Sequence, residues 1–166
     1  MAIQRLIIPV QSAKLVGSTE YGPSFITNPA GIDGGQNTWA LLFDPSTQET
    51  ATWGFQVPGN YTGSPSGNII YSAASSVGSI NIDIDMKAST GGNLNSTTIA
   101  FGAAARFVST VPGSTGDFKE VTQALTTGDL KADAYAVIRA NRIVGSSDDT
   151  ATGALAMRAL TFEYST

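Results

Sequence analysis

The run GSINIDIDMKAS at positions 78–89 changes character at every residue. Ile80, Ile82, Ile84 and Met86 fall on one side, and Asn81, Asp83, Asp85 and Lys87 on the other. A period of two is the signature of a β-strand with one dry face and one wet face. The same rhythm holds TWALLFD at 38–44, where Trp39, Leu41 and Phe43 share a side, and ATWGFQV at 51–57, where Ala51, Trp53, Phe55 and Val57 do. Between these two runs, Asp44 and Pro45 open a type I turn, with Pro fixing φ at its second position. The pair is therefore a hairpin with a longish loop. Its register puts both tryptophans and both phenylalanines on one face, because a slip of one residue would expose one strand's whole set.

Further strand candidates are residues 3–10, 68–74, 98–108, 118–125, 134–144 and 154–164, separated by Gly-, Pro-, Asn- and Ser-rich breaks such as VPGNYTGSPSGN, STGGNLNS and GSSDDTATG. Nine short strands at near-regular spacing, without an internal repeat, predict an all-β chain: a single jelly-roll-like sandwich of eight or nine antiparallel strands spanning residues 1–166. The expected core is Trp39, Phe43, Trp53, Phe55, Ile82, Ile84, Phe101, Phe107, Val137 and Phe162. Residues 14–37 read as a long connector. DLKADAYAVIRANR, at 129–142, also fits a helix capped by Asp129, with Leu130, Ala134, Val137 and Ile138 on one side. The strand reading is preferred, with Tyr135 and Val137 on one face and Ile138 on the other.

A chain of 166 residues can bury a real core, about 70% of the surface its unfolded form exposes. It has neither cysteine nor histidine. Disulfides, thiolate sites, imidazole bases and histidine metal ligands are excluded, and GxSxG and SxxK patterns are missing. Charged residues make up only 13%, the net charge is −4, and the nine basic residues are scattered. A nucleic-acid surface would need them clustered, so no such partner is expected. No apolar run is long enough to cross a membrane as a helix. The start, MAIQRLIIPVQSAK, lacks a signal-peptide core, which points to synthesis and folding in a cytoplasm.

Some residues invite a chemical reading. Asp83 with Asp85, and Asp148 with Asp149, are carboxylate pairs of the kind glycoside hydrolysis uses, but neither comes with a supporting third group. A solvated sheet face and a polar loop are the better readings. The chain lacks a calcium loop. Asp148–Asp149, in a Ser/Thr/Gly setting, is the better of the two places for an ion. AGIDGG and STGGN are tight turns rather than phosphate loops. NYT at 60–62 and NST at 95–97 match the glycosylation pattern. Trp39 and Trp53 belong inside, whereas Tyr21, Phe25 and Tyr61 on loops are the aromatics that could face a sugar. No catalytic, cofactor or metal residue is assigned. MAIQRLIIPV at 1–10 is apolar yet terminal, and its Pro9 cannot donate to a ladder. It reads as an edge strand or arm, either tucked against its own sheet or lent to a neighbour. Ile3, Arg5, Leu6, Ile7 and Ile8 would then be the partner-contacting residues.

One longer pattern is familiar. Trp39 to Asp44, a turn, Phe55 to Pro58 with Tyr61, then Tyr71, Ala73 and Ala74, Tyr135 to Arg139, the acidic Asp148–Asp149 loop, and Leu160 to Tyr164 resemble a family of small bacteriophage virion proteins of β-sandwich or jelly-roll fold. The resemblance spans roughly residues 36–166. It departs at Ser72 and Ile82, where such proteins often carry tryptophan. It implies a capsid decoration or cement protein that binds the shell and stabilises it. Its partners would be the major capsid protein or other virion proteins, its oligomer a trimer, and its location the virion, assembled in the host cytoplasm. The alternative is a head or tail fibre module that binds a receptor carbohydrate. An enzyme is not expected, nor is any cofactor.

Overall fold

Alternation alone asks for sheets stacked on their apolar faces, and the computed structural model has that arrangement. It describes residues 2–16, 25–27, 39–89, 100–126 and 130–166, with backbone alone for residues 15–16, 25–27 and 39. The strands are β1 (Ile3–Ile8), β2 (Lys14–Val16), β3 (Phe25–Thr27), β4 (Trp39–Phe43), β5 (Thr50–Gln56), β6 (Gly63–Ala73), β7 (Ser79–Ser89), β8 (Ala105–Thr110), β9 (Lys119–Ala124), β10 (Tyr135–Arg142) and β11 (Leu155–Ser165). Val10–Ser12 form a single 3-10 turn, and no α-helix occurs among the described residues.

One sheet runs β3-β4-β11-β6-β9, with β1 also paired to β11; the other runs β2-β5-β10-β7-β8. Every pairing is antiparallel. β4 takes the start of one edge of β11 and β1 takes the rest, Ile8 opposite Leu160 through Ile3 opposite Ser165. The architecture is the two-sheet, jelly-roll-like sandwich that the rhythm of the sequence predicts. Among the described residues it has eleven strands rather than eight or nine, because the 14–37 segment contributes β2 and β3. Three residues are too few to show a period. Residues 134–144 form a strand, not a helix.

Phe43, Trp53, Ile82, Ile84, Phe107 and Phe162 are buried between the sheets, as expected, and Phe55 packs partly buried against them. The Trp39 side chain lies outside the described residues. Three assignments are corrected. β4 and β5 are not a hairpin: β4 pairs with β3 and β11, β5 with β2 and β10, and the loop between them crosses from one sheet to the other, so their apolar faces meet across the core rather than side by side. Val137 faces outward, and Ala136, Ile138, Ala140 and Arg142 fill the inner side of β10. β10 is central in its sheet, and its small inner alanines sit among bulky neighbours while Val137 is left outside. Apolarity by itself did not reveal which parity was buried. Phe101 precedes β8 rather than belonging to it and lies on the outer face of the sheet. At one end of the sandwich Phe55, Tyr61, Phe162 and Tyr164 form a ring cluster, with Phe55 and Phe162 5.2 Å apart and Phe162 and Tyr164 5.7 Å apart. Such pairs add about 0.5–1.5 kcal/mol each beyond their burial.

Candidate functional site

The outer face of the five-stranded sheet carries residues in rows fixed by register. Lys14, Thr52, Arg139 and Asp85 face one another across β2, β5, β10 and β7. Gly54, Val137 and Lys87 form the next row, and Gln56, Tyr135 and Ser89 the one after. In a single sheet these rows set aromatic, cationic and hydroxyl groups side by side. The strands that carry them are held from beneath by Trp53, Ile138, Ile84 and Met86.

Tyr135 leans along the sheet onto Gly54. Its phenol oxygen lies 1.9 Å, and the carbon bearing it 2.8 Å, from where a Cβ at position 54 would stand. Glycine at 54 is therefore what lets the ring come down onto the backbone. The side chain remains 44% exposed, so part of the ring meets water. Two rows from Tyr135, Arg139 is fixed on both sides. Its Nε donates to Asp85 Oδ1 at 2.9 Å and its Nη2 to Asp85 Oδ2. The guanidinium carbon stands 4.1 Å from the centre of the Phe101 ring, and Lys87 Nζ stands 4.7 Å from the same ring. Gly102 N donates to Met86 O at 2.9 Å and ties the Phe101 segment to β7. Stacked and bidentate, Arg139 has lost its rotamer freedom before any ligand arrives.

The four aspartates singled out in the sequence all meet arginines. Asp85 pairs with Arg139 and Asp149 with Arg142, while Arg106 stands between Asp83 and Asp148 at 3.5 Å from each. Asp83 and Asp85 do share a face, as their spacing requires, but each is drawn to a different cation. Asp149 is also the acceptor for Asn81 N at 3.2 Å. Arg142, fully buried, donates to Asp149 through Nε and Nη2 and to the carbonyls of Ala151 and Gly153 at 2.9 Å. Its guanidinium occupies the position an ion at Asp149 would need. Among the described residues, neither of these carboxylate pairs stands free as hydrolysis would require.

Near Arg142 the β4–β5 loop carries two further acids with opposite tendencies. The Ser46 hydroxyl and the Ser46 and Thr47 backbone N–H groups donate to Asp44 Oδ1 and hold its carboxyl below the ordinary value. Burial pushes Glu49 up, against the hydrogen bond its Oε2 accepts from Asp44 N at 2.7 Å.

The apolar arm lies along its own β11. Leu6 and Ile8 turn toward the core, and Arg5 pairs with Glu163 at 2.8 Å. Ile3 and Ile7 point outward, 74% and 70% exposed. Tyr61 does not face solvent as a platform, because its ring stacks toward Phe162 and Tyr164. Tyr21, the Phe25 side chain, Asp129, AGIDGG and the sequon at Asn95 lie outside the described residues. Tyr135, the exposed aromatic on this face, has one signal in the sequence: it opens a strand whose neighbour carries a mid-strand glycine, Gly54.

No protein-family model matches this chain, and no curated protein matches it in sequence. Solved structures do match in fold. The chain is similar to a family 35 carbohydrate-binding module from Clostridium thermocellum (18% identity, TM-score 0.60, covering 96% of this chain and 97% of that one). It is also similar to the family 35 module of Abf62 from Cellvibrio japonicus (12% identity, TM-score 0.55, covering 96% and 92%) and to one from Paenibacillus barcinonensis (19% identity, TM-score 0.53, covering 96% and 97%). At these identities the likeness establishes the fold: an antiparallel β-sandwich of the kind on which carbohydrate-binding modules are built.

Proposed function

We propose that the chain is a non-catalytic glycan-binding module that uses the outer face of the five-stranded sheet. The observation that carries this reading is Tyr135 laid over Gly54 beside the fixed guanidinium of Arg139. A sugar ring offers C–H groups on its faces and hydroxyls at its rim. The electron-rich face of an aromatic ring attracts the first, and a preset donor fork takes the second. Rigid partners lose little entropy on binding, which favours such a face over a set of mobile side chains. The fold likeness to family 35 carbohydrate-binding modules supports the same reading. The pairing of every candidate carboxylate with an arginine supports a binding role over an enzymatic one.

The test is affinity electrophoresis through gels containing soluble polysaccharides, together with a glycan array, on the wild-type chain and Tyr135→Ala. Retardation by at least one glycan, lost in the variant, is the expected result. Unchanged retardation in Tyr135→Ala, or none across the panel, overturns the assignment.

A second reading has one observation in its favour. Ile3 and Ile7 on the outer side of β1 are a surface that a virion partner or a second copy would cover, as decoration of a capsid by a trimer requires. That reading otherwise rests on the sequence resemblance to virion proteins. Co-sedimentation with stripped capsids and a mass measurement in solution separate it from the first.

A further inference from the structure

β1 pairs with β11 from Ile3 opposite Ser165 to Ile8 opposite Leu160, and no described strand pairs with its other edge. Two hydrogen bonds fix which backbone groups stand on that edge. Thr166 N donates to Ala2 O at 3.1 Å, while Thr62 N reaches Ser165 O from the far side of β11 at 3.0 Å. Residues facing each other in an antiparallel pair alternate between exchanging hydrogen bonds and not. Ala2, Gln4, Leu6 and Ile8 therefore turn their N–H and C=O groups to β11, and Ile3, Arg5 and Ile7 turn theirs to the open edge. The side chains of the same three residues are exposed. Pro9 has no N–H to give and ends the row. An edge of this kind is a template for another strand. Beside it, Glu163 Oε1 is shielded from water and stands 2.8 Å from Arg5 Nε, yet it accepts no hydrogen bond among the described residues.

We propose that this edge pairs with the same edge of a second copy, β1 against β1 in antiparallel register, with Arg5 opposite Arg5 on a two-fold axis. Such a contact needs a patch that complements itself, and this row does. Centred on Arg5, it sets Ile3 of each copy against Ile7 of the other, and every outward residue exchanges both of its backbone hydrogen bonds. A shift of two residues either way sets Arg5 against an isoleucine and loses both isoleucine pairs, so the register is specified. Like charges facing each other across strands are unfavourable alone. Here each arginine has Glu163 on its outer side, and the row reads Glu–Arg–Arg–Glu. The unmet Glu163 Oε1 is an acceptor left for the other copy's guanidinium. The axis stands perpendicular to the sheet, so both copies turn the outer face of the five-stranded sheet the same way, as bivalent binding needs. The inference commits the apolar patch to a second copy and rests on neither reading of function.

Sedimentation equilibrium of the full chain from about 10 µM to about 1 mM tests it, because one strand pair is a small interface and makes a weak dimer. The mass should rise from one chain to two and stop there. Ile3→Lys combined with Ile7→Lys, both at exposed positions, should hold the chain monomeric throughout, with circular dichroism showing that the sheet signal is kept. The chain has no cysteine of its own, so introduced ones report the register. In Arg5→Cys the two thiols face each other with Cα atoms about 5.5 Å apart, within disulfide reach, and air oxidation should join them. In Ile7→Cys they stand about 13 Å apart along the strands and should stay unjoined until Ile3→Cys is mixed in. The proposal is overturned if the wild type is still monomeric at about 1 mM or if it assembles as a trimer. It is equally overturned if Ile7→Cys alone joins as readily as Arg5→Cys.

Discussion

Arg142 and Asp149 close on one another through two hydrogen bonds, 3.0 Å from Nε to Oδ2 and 2.9 Å from Nη2 to Oδ1, with both side chains out of water. The guanidinium then donates to the carbonyls of Ala151 and Gly153, so one side chain organises the β10–β11 connection. A buried cation with four good acceptors is satisfied; the same cation missing its carboxylate is not. Asp149→Ala should therefore cost about 3–5 kcal/mol of stability. Replacing both residues with apolar ones of similar volume, Arg142→Met with Asp149→Leu, should recover a large part of that loss. Urea unfolding of Arg142→Met, Asp149→Leu and the double variant measures the coupling, and simple additivity would contradict it.

The close approach of Tyr135 to Gly54 gives a second expectation. A methyl group at 54 would meet the phenol oxygen, which is the free end of a side chain that can swing away. Gly54→Ala should lift the ring from the sheet, weaken glycan binding by about tenfold, equivalent to about 1.4 kcal/mol, and leave the urea midpoint nearly unchanged. Loss of stability without loss of affinity would point to a structural role for the glycine alone.

Arg139 should matter for its shape more than for its charge. Arg139→Lys keeps the cation but loses the fork on Asp85 and the stacking on Phe101. Glycan affinity should fall several-fold in this variant and in Phe101→Ala, while both melt within a few degrees of the wild type. Affinity electrophoresis against melting temperature reads the two effects separately.

The β4–β5 loop sets two opposed pH dependences. Asp44, held below its ordinary 3.8 first by the Ser46 side-chain hydrogen bond, adds stability that is present above that value and is lost as pH falls through the lowered one. Glu49 is raised above its ordinary 4.5, burial being the largest cause. It adds stability that is complete below 4.5 and disappears as pH rises through the raised value. Glu49→Gln should flatten the decline in melting temperature on the alkaline side of 4.5, and Asp44→Asn the decline on the acid side of 3.8. Melts from about pH 3 to 7 compare them. A Glu49→Gln profile parallel to the wild type would refute the first claim.

The sandwich was legible because in β5 and β7 the apolar residues fall on alternate positions, and that row is the one that faces the core. β7 shows this best, with Ile80, Ile82, Ile84 and Met86 inside as the alternation demands. Where the alternation weakens, so does the reading. β10 carries apolar residues on both faces, and Val137 and Ile138 were separated only by the neighbours each one meets. β2 and β3, with three residues each, span only one and a half periods and leave no pattern. The virion family suggested by strand and turn patterns shares the jelly-roll outline with the carbohydrate-binding modules the fold matches. Such patterns encode outline rather than role.

Composition and rhythm by themselves settled that this chain is a β-sandwich with an indole and phenyl core and no histidine or cysteine chemistry, because those properties are local: they depend on which residues are present and on which side of a strand each one falls. Which residues meet on the surface was decided only by the tertiary structure. Asp85 finds Arg139 from 54 positions away, and Tyr135 comes to rest on Gly54 of a neighbouring strand. Strand order and register make those meetings, and neither is written in any single stretch of the chain.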